Sequence, residues 1–185
     1  MELYVADAFT TVPFSGNQAG VALLGAEDFP PESLMRALAG ELKHSETAFV
    51  RRVGDRSFHI RYFTPAGEVD LCGHATIAAF TVLRDTGVLS PGVCALRTRS
   101  GDLEIQVGPD AVWMDMAAPR DGRSFDEAEQ AALYAAYGLS LCDRPEGLEP
   151  QAVSTGLMDI LLPVKDLDTL ERAEQNEGEA TRLSR

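Results

Sequence analysis

The chain has 185 residues, 45% of them hydrophobic, with 16 basic against 29 acidic side chains and a net charge of −13. That length and apolar share suffice for one substantial core or two small ones. The acidic balance repels phosphate backbones and excludes nucleic acid as a partner, and no stretch approaches the roughly 20 apolar residues that cross a bilayer.

The opening Met1-Glu2-Leu3 reaches Asp7 without a basic segment or an apolar run, so neither a secreted nor a membrane protein is expected. Cys72, Cys94 and Cys142 are odd in number and unrelated in spacing, and they form no zinc pattern or disulfide framework. A reducing, cytoplasmic compartment is the expectation.

In chain order, Asp7-Ala8-Phe9 leads into the turn-rich Phe14-Ser15-Gly16-Asn17-Gln18-Ala19. An Asn after a Gly is an ordinary turn residue as well as a candidate site residue. Gly16, Gly20 and Gly25 are spaced too widely for a dinucleotide turn, and no Gly-Lys-Ser or Gly-Lys-Thr follows a glycine, so no nucleotide cofactor is implied. Pro31 suits a first helical position, and Leu34, Leu38 and Leu42, with Met35 and Ala39 beside them, predict a helix with one stripe packed on a sheet.

Lys43-His44-Ser45-Glu46-Thr47-Ala48-Phe49-Val50 then sets one carboxylate, Glu46, at the mouth of an apolar strand. Alone, Glu46 reads equally as a helix cap or a solvated strand start. Residues 57 to 63 alternate Phe58, Ile60 and Tyr62 with Ser57, His59 and Arg61, the pattern of a strand paired through the Gly54-Asp55 turn. Neither His44 nor His59 has a metal-like spacing, and both are expected in solvated positions.

Asp70-Leu71-Cys72-Gly73-His74-Ala75-Thr76 precedes a run that is apolar nearly all round, predicting a buried helix from about 73 to 84 with Gly87 at its end. A helix starting there points free N–H groups at whatever lies in front of it, an anion-binding arrangement. His74 at that turn either bonds a neighbouring loop or holds a substrate carboxylate. Leu103, Ile105 and Val107 turn through Gly108-Pro109-Asp110 into Val112, Met114 and Met116, a second hairpin. Ser124 with Glu127 predicts a capping box for a third helix ending near Gly138.

Ser45-Glu46-Thr47-Ala48-Phe49, Phe63-Thr64-Pro65 and Leu71 to Thr76, with the two amino-terminal runs, resemble the ordered motif series of the phenazine-biosynthesis F (PhzF-like) isomerases, structural relatives of diaminopimelate epimerase. Ser154-Thr155-Gly156-Leu157 and Leu161-Leu162-Pro163-Val164 are similar to that family's linker into its second half. The resemblance implies an α+β, diaminopimelate-epimerase-like fold: two pseudo-symmetric halves, each a mixed barrel-like sheet around a buried helix, with the active site in the cleft between them.

The same resemblance implies an isomerase or epimerase, independent of cofactor and metal, that moves a proton on a small carboxylate-bearing substrate. Glu46 would be the general acid/base, and the N–H groups around Gly73 and His74 would hold the enolate-like charge. His74, Asn17, Ser45 and Asp70 complete the substrate-binding set. Diaminopimelate epimerases use a thiol pair, but Gly73-His74 occupies the matching turn here, so Cys72 reads as a structural thiol. The alternative is a truncated, non-catalytic protein of the same fold that binds a small acid or forms dimers.

A faint repeat, Leu23, Leu24 and Asp28 recurring as Leu161, Leu162 and Asp166 at an offset of 138, fits two halves: 1–119, and a truncated 120–185. Projected onward, the counterpart of Glu46 falls at about 184 and that of Gly73-His74 at about 211, past Arg185. Strands between 151 and 164 are expected to leave an unpaired edge, and the charged segment from 171 to 185 to form an exposed helix or frayed tail. The expectation is a fragment, a frameshift product, or a chain that completes itself as a homodimer.

Overall fold

The computed structural model describes residues 1–156 and 158–183, in two compact units, Met1–Asp115 and Met116–Arg185. Leu157 of the linker motif and position 184, the projected counterpart of Glu46, lie outside the described residues. No helix among the described residues is long and apolar enough to cross a membrane.

The first unit is a mixed sheet of eight strands: β1 (Glu2–Ala8), β2 (Asn17–Gly25), β3 (Thr47–Arg52), β4 (Ser57–Phe63), β5 (Glu68–Val69), β6 (Gly92–Thr98), β7 (Gly101–Val107) and β8 (Val112–Met114). Their order is β1-β2-β3-β4-β6-β7-β8, with β5 paired to β4 off that path. Only β2/β3 and β4/β6 run parallel, and each of these pairs is joined by a crossover helix, α1 (Glu32–Leu42) and α2 (Gly73–Asp85). β4 and β6 run opposite to β2 and β3. Two crossovers of the usual right-handed sense that step the same way across the sheet therefore place their helices on opposite faces.

Strand alternation confirms the two faces. Ala19, Val21, Leu23, Ala48, Val50, Phe58, Ile60 and Tyr62 pack with α2, whereas Ala22, Leu24, Phe49 and Phe63 pack with Met35 and Ala39 of α1. The terminal strands β1 and β8 both touch α2, so the sheet curls into a half-barrel around it. Ala75, Ala78 and Ala79 let the strands approach, and Phe80, fully buried, meets Phe58 edge to face with ring centroids 5.4 Å apart. Gly87, at φ +75°, ends the helix as expected: its N–H bonds the Arg84 carbonyl at 2.9 Å, and Leu89 N–H returns to Leu83.

Two expectations shift in register. The stripe of α1 is centred on Met35 and Ala39, with Leu38 partly buried, while Leu34 is 52% exposed, because the helix face is set by how α1 lies over Phe49 and Phe63. Strand β8 ends at Met114, leaving Met116 outside the second hairpin.

The second unit has three antiparallel strands, β9 (Arg120–Ser124), β10 (Gln151–Ser154) and β11 (Met158–Leu161), in the order β11-β10-β9. Helices α3 (Glu127–Ala135), α4 (Leu167–Glu171) and α5 (Glu177–Leu183) accompany a 3₁₀ turn at Leu141–Asp143. The capping box of α3 is Asp126 with Glu129, two residues later than expected, because Ser124 is the last residue of β9 and Phe125 is buried. Among the described residues β11 pairs with β10 alone, an open edge. Helix α5 buries none of its residues fully, in keeping with an exposed terminal helix.

The repeat reappears as order: the β1–β2 hairpin precedes α1 as the β10–β11 hairpin precedes α4. Its acidic members differ in role. The Asp166 carboxylate caps α4 by accepting from Thr169 N–H at 2.7 Å, whereas Asp28 pairs with Arg51 at 2.7 Å and Pro31, expected as a first helical residue, is instead the extended residue just ahead of α1.

Candidate active site

Glu46 closes the short 43–46 connection between α1 and β3. That connection begins with Lys43 in the left-handed region, at φ 57°, its N–H bonded to the Ala39 carbonyl. Even-numbered residues of β3 face α2, so Glu46, just ahead of Thr47, points toward that helix's amino end. Its backbone carbonyl accepts from Gly20 N–H at 3.0 Å. Gly20 leaves little room for a side chain: a Cβ there would stand 2.7 Å from Thr47 Oγ1 and 2.9 Å from Leu42 Cδ1, and these would have to shift. This packing role for Gly20 is not apparent from the sequence.

His74, one residue into α2, lies between three side chains. Its Nε2 is 3.4 Å from Glu46 Oε2 and 3.3 Å from Ser45 Oγ, and its Nδ1 is 3.3 Å from Cys72 Sγ. Burial pushes the Cys72 thiol up to about 11, with the N–H groups of Ala75 and His74 opposing and the Glu46 carboxylate adding to the rise. Cys72 is therefore held as the neutral thiol at pH 7. With the Cys72 S–H donated to Nδ1, the ring proton sits on Nε2, facing Ser45 and Glu46; with Nδ1–H donated to sulfur, Nε2 is an acceptor there.

Glu46 Oε2 is shielded from solvent and accepts no aligned hydrogen bond from the described residues; the His74 contact is at ion-pair distance only. The first intrahelical bond of α2 runs from Thr76 N–H to the Cys72 carbonyl at 3.0 Å, so the Gly73, His74 and Ala75 N–H groups lack intrahelical partners. Thr76 Oγ1 donates to the same carbonyl at 2.7 Å and shares a 2.6 Å hydrogen bond with buried Tyr62 Oη. This buried chain fixes the turn that carries Cys72, Gly73 and His74. The i, i+4 spacing of Thr76 from Cys72 is its one sequence signal.

The structure thus brings Glu46, Ser45, Gly73 and His74 together and adds Cys72. Asn17, exposed at the start of β2 opposite Ala8, shares by alternation the face and strand end of Glu46. Asp70 instead pairs with Arg99 at 3.1 Å, beside a Glu68 carboxylate clamped by Arg61 at 2.6 and 2.7 Å. His44 and His59 are half-buried rather than solvated. His59 meets the Phe29 ring edge to face, and burial, then Arg97, Arg51 and Arg61, lowers its pKa.

Residues 6–184 match the model of the PhzC-PhzF family, described as phenazine biosynthesis-like protein. An uncharacterized isomerase of Deinococcus radiodurans is 39% identical over 96% of the chain, and the uncharacterized isomerase YddE of Escherichia coli K12 is 35% identical over 91%. The chain spans 59% of the length of each of these relatives. A Bacillus anthracis phenazine biosynthesis protein of the PhzF family superposes on 95% of the chain and 60% of its own at a TM-score of 0.81 and 34% identity. A predicted epimerase of Pseudomonas aeruginosa does so on 98% and 65%, at 0.83 and 26%.

Proposed function

The chain belongs to the phenazine biosynthesis-like PhzC-PhzF family, and from that premise we propose that it is an isomerase or epimerase moving a proton on a small carboxylate through Glu46. The isomerase names of its relatives support the reaction class. One observation carries the residue-level reading: a solvent-shielded carboxylate oxygen without an aligned donor among the described residues faces a histidine in the first turn of a helix.

In this reading Glu46 takes a proton from a carbon beside a carbonyl or within a conjugated diene acid. The C–H electron pair moves toward the carboxylate or carbonyl oxygen, where the Gly73 N–H and the positive end of α2 receive the charge. His74 Nε2–H and Ser45 Oγ orient the substrate carboxylate. Glu46 then returns the proton to another carbon on the same face, so the sum is isomerisation with no external acid, base or electron carrier; inversion at one carbon would need a second acid on the opposite face. Pairing of two copies remains part of the proposal, supported by the exposed Met158 and Leu161 of the open strand β11.

The test is deuterium incorporation, read by NMR, into a panel of small acids with an activated C–H incubated in D2O. General acid/base catalysis contributes roughly 10²–10⁴-fold, so Glu46→Gln should slow exchange by that factor with an unchanged circular dichroism spectrum. Equal exchange by both proteins would end the assignment.

A further inference from the structure

Sequence spacing names no cation ligands, yet the fold gathers three. A Glu46 carboxylate oxygen, Cys72 Sγ and a His74 ring nitrogen all lie within 4.8 Å of one another. A thiolate, an imidazole and a carboxylate form a donor set for zinc, which takes sulfur at about 2.3 Å and nitrogen or oxygen at about 2.0–2.2 Å. Tetrahedral coordination at those lengths puts ligand atoms about 3.4 Å apart.

Two of the three pairs are in contact. Cys72 Sγ is 3.3 Å from Nδ1 of His74, and Glu46 Oε2 is 3.4 Å from Nε2. These contacts use opposite ring nitrogens, so a cation needs a turn of the imidazole that presents one nitrogen to both partners. The side chains of Glu46 and His74 are 21% and 13% exposed, shielded but reachable from solvent. The supports are rigid: the Cys72 carbonyl is held by Thr76, and the Glu46 carbonyl by Gly20. Glu46 Oε2 is also an acceptor with no aligned donor among the described residues, which a cation would satisfy.

We propose that this cluster binds a soft divalent cation, Zn2+ in particular, as a three-ligand site in competition with substrate. The competition rests on the acid/base reading of Glu46; the binding itself does not. On binding, the Cys72 S–H proton leaves to solvent as the S–Zn bond forms, and two anionic ligands balance the charge of the ion. Water completes the fourth position until a substrate oxygen or chelator displaces it.

Co2+ serves as the optical probe, titrated into the full chain carrying Cys142→Ser so that the exposed thiol takes no part. The expected result is one ion per chain, a thiolate-to-cobalt charge-transfer band, and displacement by Zn2+. Cys72→Ser should abolish the band. His74→Ala and Glu46→Gln should each weaken binding by at least the roughly 10–100-fold that loss of an outer-shell partner costs. No band, a band that survives Cys72→Ser, or full affinity in the His74 and Glu46 variants would overturn the site. Zn2+ that binds but leaves deuterium exchange unchanged would overturn the competition. Exchange insensitive to Glu46→Gln would overturn the isomerase reading and leave the binding result standing.

Discussion

The two units solve the same problem with different means. In Met1–Asp115 eight strands curl around α2, and twenty buried residues share one core. In Met116–Arg185 three strands leave Phe125, Leu133, Ala152 and Ile160 lining an open groove of about 580 Å³, to which no candidate site residue contributes. What the groove does not bury, directional contacts replace. The nearly buried Asp143 accepts from Ser140 N–H at 2.9 Å and Lys165 Nζ at 3.3 Å and pairs with Arg172, while Tyr134 Oη donates to the Pro163 carbonyl at 2.5 Å. The half-barrel gathers its apolar side chains around α2, and the three-stranded sheet leans more on directional contacts around Asp143.

The comparison breaks most readily at Phe80. Phe80→Ala removes a fully buried ring facing Phe58 and should cost about 3–5 kcal/mol, read by denaturant unfolding of the fluorescence of Trp113, the chain's single tryptophan and a residue of the first unit. A loss under about 1 kcal/mol would mean that the half-barrel is not the closed frame described.

Acid should single out the second unit next. Ser140 N–H above all, with Lys165 and Arg172, holds the Asp143 carboxyl at about 2, below the ~3.9 of an unfolded chain. A depressed carboxyl stabilises the fold above pH ~3.9, and that stability is lost as pH falls through about 2. Hydrogen exchange should therefore open Ser140–Arg172 amides across that window, and Asp143→Asn should flatten the dependence. Unchanged steepness in the variant would remove Asp143 from its central role.

Smaller effects sharpen the picture. Asp126→Ala removes the α3 cap and should cost about 1 kcal/mol, with faster exchange at the Glu129 amide it now holds at 2.8 Å. Leu34→Ser, on the exposed face of α1, should stay within about 0.5 kcal/mol of the parent in Tm-derived stability. A large loss there would restore the leucine stripe that the sequence suggests.

Legibility followed the strength of the pattern. Alternation in 57–63 and an all-round apolar run after Gly73 identify β4 and α2 because burial leaves few other solutions. The stripe of α1 shifts by one position because Leu34 and Met35 are neighbours on a helix whose rotation only the sheet beneath it decides. The capping box expected at Ser124 with Glu127 forms instead at Asp126 with Glu129, because the strand runs on to Ser124. In the site, Glu46 and His74 were readable through ordered motifs. The meeting of Cys72 and His74 was not, since i and i+2 do not face each other on a helix and only the extended backbone of Cys72 turns the thiol toward the ring. The pairing of Asp70 with Arg99, a partner 29 residues distant, was not legible either.

The central claim is that a carboxylate, with a neutral thiol beside it, moves the proton. The most direct measurement is deuterium exchange by Glu46→Gln and Cys72→Ser in parallel, on the same substrate and without added metal. The account predicts a loss of roughly 10²–10⁴-fold in the first and a change of less than about tenfold in the second. The reverse pattern, with exchange lost in Cys72→Ser and kept in Glu46→Gln, would contradict it and make the thiol the base.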